Sequence, residues 1–180
     1  MASFVERMVG AALLSPAAYE DVEHDRDASL QATMVVVLSA VAAAVGARGH
    51  GEEAVVREVL RALLQWLAWS GITYLIGTRV FRGTATLGEV LRAIGFAQAP
   101  GLFMALAGLP LLGGMVSFVV GLWTLAAVVV ATRQALDVDT ARAVMTALLG
   151  LLVVVGIVVG LTVMAAVFVG MIAAFFALVF

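Results

Sequence analysis

Glu52-Glu53-Ala54-Val55-Val56-Arg57 is the run in this chain whose residue types and spacing come nearest to a catalytic pattern. Paired glutamates on a helix activate water beside a metal ion, provided histidines on neighbouring helices hold the metal. The only histidines are His24 and His50, and both precede or adjoin the run in connecting segments. The acid-before-base spacing of Glu53 and Arg57 suits a solvated helix start instead. Ser39, Ser70, Thr73, Gln98, Ser117 and Thr124 lie in otherwise apolar sequence, with no histidine or lysine beside them to activate a hydroxyl. Each is read as a hydrogen bond to a neighbouring helix or to its own backbone. Cysteine is absent, which removes thiolate chemistry, disulfides and cysteine metal sites. The residues expect no enzyme, no metal and no cofactor.

The elements that position these residues follow from where charge is missing. Residues 28–47, 62–78, 93–132 and 143–180 contain no Asp, Glu, Lys or Arg. Lipid is the solvent that rewards continuous apolar surface, so the chain is an integral membrane protein. Charged residues make up 12% of the chain, about half of what a soluble domain carries. A net charge of −2 excludes nucleic acid as a partner. The lipid bilayer is the expected one.

The chain divides into an N-terminal amphipathic and acidic segment, 1–28, and a transmembrane helical domain, 29–180. Phe4, Val5, Met8, Val9, Ala12 and Leu13 recur at helical spacing and predict an amphipathic helix on the membrane surface. The segment lacks the basic start and long apolar run of a signal peptide. Ser15 and Pro16 restart the chain as helix cap and first turn. The acidic run Glu20 to Asp27 reads as a solvated helix face. Span one is about Leu30 to Ala47, followed by a turn at Arg48-Gly49-His50-Gly51. Span two runs from Glu53 to about Val80, with Gly83 as its stop. Thr86 and Glu89 have capping-box spacing and open span three, which carries Arg92 near its start and is interrupted by Gln98, Pro100 and Gly101. Pro110 and Gly113-Gly114 mark a short turn into span four, about Leu111 to Thr132. Asp137 and Asp139 are expected to cap the last helix, with Arg142 just inside it.

Residues 143–180 would form a helix of about 57 Å at 1.5 Å per residue, against a hydrocarbon core of about 30 Å. A reversal near Gly156, Gly160 and Thr162 would expose unpaired backbone. Five spans with a long or broken last helix are therefore expected, and six spans are the alternative. Gly156 and Gly160 have close-packing spacing; contact inside the monomer is expected first, self-association or contact with other membrane proteins second. With five spans, one side holds seven arginines (Arg7, Arg26, Arg79, Arg82, Arg92, Arg133, Arg142). The other holds three (Arg48, Arg57, Arg61). Positive residues favour the cytoplasm, which places the N-terminus inside and the C-terminus on the opposite side of the cell membrane.

Three stretches in this order resemble the Yip family, the Ypt/Rab-interacting membrane proteins, in its bacterial branch. They are Leu14-Ser15-Pro16, Gly95-Phe96-Ala97-Gln98-Ala99-Pro100, and Leu136-Asp137-Val138-Asp139-Thr140-Ala141-Arg142-Ala143. The resemblance implies five spans and a cytoplasmic N-terminus. In eukaryotic members it is linked to small GTPases, vesicle traffic and membrane shaping. This chain lacks the acidic Asp-Leu-Tyr-Gly-Pro type of motif before span one and keeps only Pro16, which speaks against a GTPase partner. The EExxxR pattern also occurs in the CAAX-processing and bacteriocin-protection proteases, but no histidine follows His50 to complete their site. The expectation is an all-α, polytopic transmembrane bundle with a non-enzymatic scaffold or membrane-organising role. The alternative is a small transporter or lipid-handling protein built around the kinked third span. A polar cavity reaching Gln98 would favour that alternative; a tightly packed apolar bundle would favour the scaffold.

Overall fold

The computed structural model describes residues 2–47 and 51–179, and its described elements are all helical. They are α1 (Phe4–Ala12), α2 (Pro16–His24), α3 (Ala28–Gly46), α4 (Glu52–Arg79), α5 (Leu87–Phe96), a 3₁₀ helix (Ala99–Gly108), α6 (Gly113–Ala135) and α7 (Thr140–Val179). Five stretches are long and apolar enough to cross a membrane: α3, α4, α5 with the 3₁₀ helix, α6, and α7 from Thr140 to Ile172. The last stretch is one continuous helix, so the five-span architecture holds. Residues 48–50 of the expected turn lie outside the described residues.

The third span changes helix type at its middle. Proline has no N–H and cannot continue an α-helix, so α5 ends at Phe96 and Pro100 sits in the first turn of the 3₁₀ helix. A 3₁₀ run of this length is uncommon, but it rises about 2.0 Å per residue against about 1.5 Å for the α-helix. The two halves together reach about 35 Å, enough for the hydrocarbon core.

Small residues let this span lie against α3. A Cβ on Gly95 would fall 2.8 Å from the Ala32 Cβ, and one on Gly101 would fall 3.0 Å from the Ser39 Cβ. Such contacts are how helices associate where lipid supplies no hydrophobic drive between them. A side chain also bridges the two spans at the break: Ser39 Oγ donates at 2.8 Å to the Gln98 carbonyl, which accepts the Gly101 N–H as well. The core contains Val35 and Val36 of α3, Ile94 and Phe96 of α5, and Ala127 and Ala131 of α6.

Several local expectations need correction. α4 ends at Arg79 with Val80 as its C-cap, and the left-handed residue of the following turn is Arg82, at φ 56°. Gly83 is needed for a different reason: a Cβ there would lie 2.7 Å from the Leu136 carbonyl oxygen. Asp137 does not cap α7. It is the left-handed residue ending α6 (φ 52°), where Val138 N–H donates to Arg133 O across a Schellman turn. Asp139 alone caps α7, its Oδ1 accepting from Arg142 N–H at 2.9 Å. No ion pair closes between Glu53 and Arg57; at this end of α4 the pair that forms is Glu58 with Arg61. Among the described residues, nothing outside the helix's own nearby backbone lies within 4 Å of where a Cβ on Gly156 or Gly160 would stand, so the contact expected inside the monomer is not made there.

Candidate functional site

The expected site residues fall into two groups at different depths. Glu89, Arg92 and Asp137 lie at the end of the bundle where the tip of α2, the start of α5 and the α6–α7 turn meet. Gly95, Gln98 and Pro100 lie half a span away. Pro16 and Arg142 join neither group. Pro16 is exposed in the first turn of α2, and Arg142 is an exposed partner of Asp139 at 3.3 Å.

Arg92 organises the first group. It is only 7% exposed. Its Nε donates to Val22 O at 3.0 Å and its Nη2 donates to Glu23 O. These are last-turn carbonyls of α2, where unpaired C=O groups and the helix dipole favour a cation. Thr86 and Glu89 form the predicted capping box at the start of α5. Thr84 Oγ1 donates to Asp137 Oδ2 at 3.0 Å, and Thr84 N–H donates to Leu136 O, tying the α4–α5 connection to the α6–α7 turn.

The N-terminal segment is held more tightly than an acidic, solvated stretch would be. Arg7, 2% exposed, pairs with Asp21 and Asp25 at 2.7 Å each and donates to Gln31 Oε1 at 3.1 Å. Burial works against the Arg7 charge, but the two carboxylates outweigh it and hold the guanidinium above its ordinary value. Arg7 hydrogen bonds draw the Asp25 carboxyl below its usual range. Trp123 Nε1 donates to Ala12 O at 2.6 Å, and Tyr19 OH donates to Ala11 O at 3.0 Å. Phe4, Met8 and Ala12 pack on the core, while Val5, Val9 and Leu13 face outward. The expected amphipathic stripe thus divides into a docked face and an exposed row. In the sequence Arg7 reads only as a charge for orientation. One arginine followed by carboxylates at 21 and 25, a helical turn apart, was the signal available.

Glu23 is the outlier in this region. It is 7% exposed, and its Oε2 is buried with no hydrogen-bond partner. Burial raises its carboxyl to about 7; His24 opposes this, while Asp137, Glu89 and Glu20 add to it. No three His, Asp or Glu side chains among the described residues stand together in a way that could hold a metal ion.

Of the second group, Gln98 lines a cavity of about 440 Å³ between α4 and α6, with α3 and the 3₁₀ helix behind it. Its volume lies within the range of small-molecule sites, roughly 300–1,000 Å³. Gln98 and Gly101 line the back, Trp66 and Trp69 one wall, Thr124 and Leu125 the other. Trp66 Nε1 donates to Leu91 O at 3.0 Å, which fixes the indole. Gln65, Ser117, Gly121 and Leu125 remain exposed, so the cavity is open sideways between α4 and α6. Ser39 makes the interhelical bond expected of it, whereas the buried Ser70 hydroxyl finds no partner.

The model of the Yip1 domain matches residues 10–162, most of the chain. The chain belongs to the Yip1 family. The family match takes in all of α2 to α6 and the packed half of α7; in this Yip1-family chain only the first helix and the far end of the last reach beyond it. No curated protein and no solved structure matches the chain.

Proposed function

We propose that this Yip1-family chain is a non-enzymatic, membrane-organising protein of the cell membrane, with its N-terminus cytoplasmic and its C-terminus on the other side. The observation that carries this reading is α7. It spans Thr140–Val179, and from Leu151 to Ile172 nearly every residue is exposed. Tilting a stretch of about 57 Å by about 40°, the upper end of the usual range, still leaves about 44 Å to fit a core of about 30 Å. Such a helix must thicken the bilayer locally, pass beyond it, or pair with another helix. Gly156 and Gly160, with free space beside them, supply a close-approach face for a second copy or another membrane protein.

Labelled copies reconstituted in vesicles of short and long acyl chains test this. Energy transfer between full-length copies is expected to rise as the bilayer thins, and to lose that dependence when the chain is cut after Gly160. Equal transfer at every thickness contradicts the proposal.

The Gln98 cavity favours a second reading, a lipid-handling protein. Gln98→Leu then keeps the protein folded but removes its cellular effect. A purely structural third span leaves Gln98→Leu neutral in both stability and effect.

A further inference from the structure

We propose that the cavity between α4 and α6 holds one zwitterionic phospholipid, with its headgroup at Glu58 and Arg61 and an acyl chain running inward past Trp66 and Trp69. The proposal rests on the lipid-handling reading and names its ligand. Both walls belong to spans, so the cavity lies within the membrane layer and faces lipid through its open side. Its polarity is graded along α4. Arg61 is the last charged residue before the uncharged stretch 62–78, and Glu58 and Arg61 line the end remote from Arg92. From Glu58 to Trp69 is about 16 Å along the helix, enough for much of an acyl chain. The deep end is walled by Trp66, Trp69, Leu125 and Val128, which offer an acyl chain apolar contact.

The mouth selects the headgroup. Arg61 donates from Nε and Nη2 to Glu58 and from Nη1 to Gln65, three bonds in all. A guanidinium has five N–H donors, which leaves two for a phosphate oxygen. Arg61 is exposed and Glu58 half-buried, so both are reachable. Because Glu58 cancels the Arg61 charge, a purely anionic ligand meets repulsion as well as attraction. A phosphate joined to an ammonium meets a complementary group on each side. Gly121 lines the same cavity with nothing within 4 Å of its would-be Cβ, so a larger residue there fills the space without striking the fold.

The test uses the full chain in phosphatidylcholine vesicles doped with photoactivatable lipid probes carrying a diazirine near the acyl-chain end. A phosphatidylethanolamine probe is expected to label peptides of α4 and α6. Gly121→Phe should cut this labelling at least fivefold with the thermal unfolding midpoint unchanged, and Gly121→Leu serves as the milder plug. Arg61→Gln should cut it several-fold. A diacylglycerol probe, which lacks the phosphate, and an anionic phosphatidylglycerol probe should label several-fold less, and millimolar inorganic phosphate should not compete. Equal labelling by diacylglycerol, blocked by Gly121→Phe, overturns the headgroup assignment but leaves the lipid-handling reading standing. Competition by inorganic phosphate assigns the site to a free anion and overturns the proposal. Labelling indifferent to both Gly121 variants marks ordinary surrounding lipid, and overturns the proposal and that reading together.

Discussion

Arg92 and Glu23 meet at the tip of α2 with opposite consequences. Arg92 supplies donors to two carbonyls that have no helical partner of their own, and a hydrogen bond to a charged group contributes about 1.5–3 kcal/mol. Arg92→Met is therefore expected to loosen the N-terminal segment by about 3 kcal/mol. Faster trypsin cleavage at the exposed Arg26 would report it; an unchanged cleavage rate removes Arg92 from this role. Glu23 works the other way. Its folded value of about 7 lies above the ordinary 4.5, so the folded state keeps a proton that the unfolded state has already released. Through Glu23, docking of this segment should weaken as pH rises from 4.5 to about 7. The full span amounts to at most about 3 kcal/mol. Glu23→Gln should flatten the pH profile and stabilise the protein above neutrality. A Glu23→Gln protein whose unfolding midpoint in detergent keeps the wild-type slope between pH 5 and 8 would place the titration on another group.

At the level of elements, the third span depends on its seam with α3. A side chain larger than hydrogen at Gly95 must push Ala32 away, because even a Cβ comes within 2.8 Å. Gly95→Val is expected to destabilise the bundle by about 1–3 kcal/mol, as overpacking does, read as a lower thermal midpoint in mild detergent. Ser39→Ala removes one hydroxyl from the Gln98 carbonyl. It should cost only about 0.6 kcal/mol, the average for an interhelical hydrogen bond in a membrane protein. A larger loss for Ser39→Ala than for Gly95→Val would mean that the break is held by its hydrogen bond and not by close approach.

For the whole molecule, the bundle and α7 are separable in energy. Among the described residues of α7, those buried lie near its start: Ala143, Thr146, Ala147 and Gly150. Ending the chain after Gly160 should leave the unfolding midpoint of the bundle within a few degrees of the full-length value. A large drop would show that the far end of α7 supports the fold. Reporter fusions at Ala28, Gly51, Thr84 and Phe180 check the arginine-based orientation. The expected pattern is cytoplasmic at Ala28 and Thr84 and external at Gly51 and Phe180. A cytoplasmic Ala28 with a cytoplasmic Phe180 contradicts five spans in the membrane, and an external Ala28 reverses the orientation.

The amino-acid sequence by itself determined what depends on near neighbours and on solvent. The charge-free stretches select lipid, Thr86 and Glu89 cap α5, and Pro100, in the middle of a span, interrupts the α-helix there. Tertiary structure decided which faces turn inward. In a soluble helix an apolar stripe marks the buried side, but lipid accepts apolar residues all round, so periodicity does not tell core from bilayer. That is why Gly156 and Gly160 were expected against a neighbour and stand free, and why the cavity between α4 and α6 could be anticipated only through Gln98. The buried charges were hidden for a related reason. Arg92 finds its acceptors 69 and 70 residues earlier in the chain, and Trp123 finds Ala12 at a separation of 111. No local spacing encodes such meetings, because they exist only once the spans have packed.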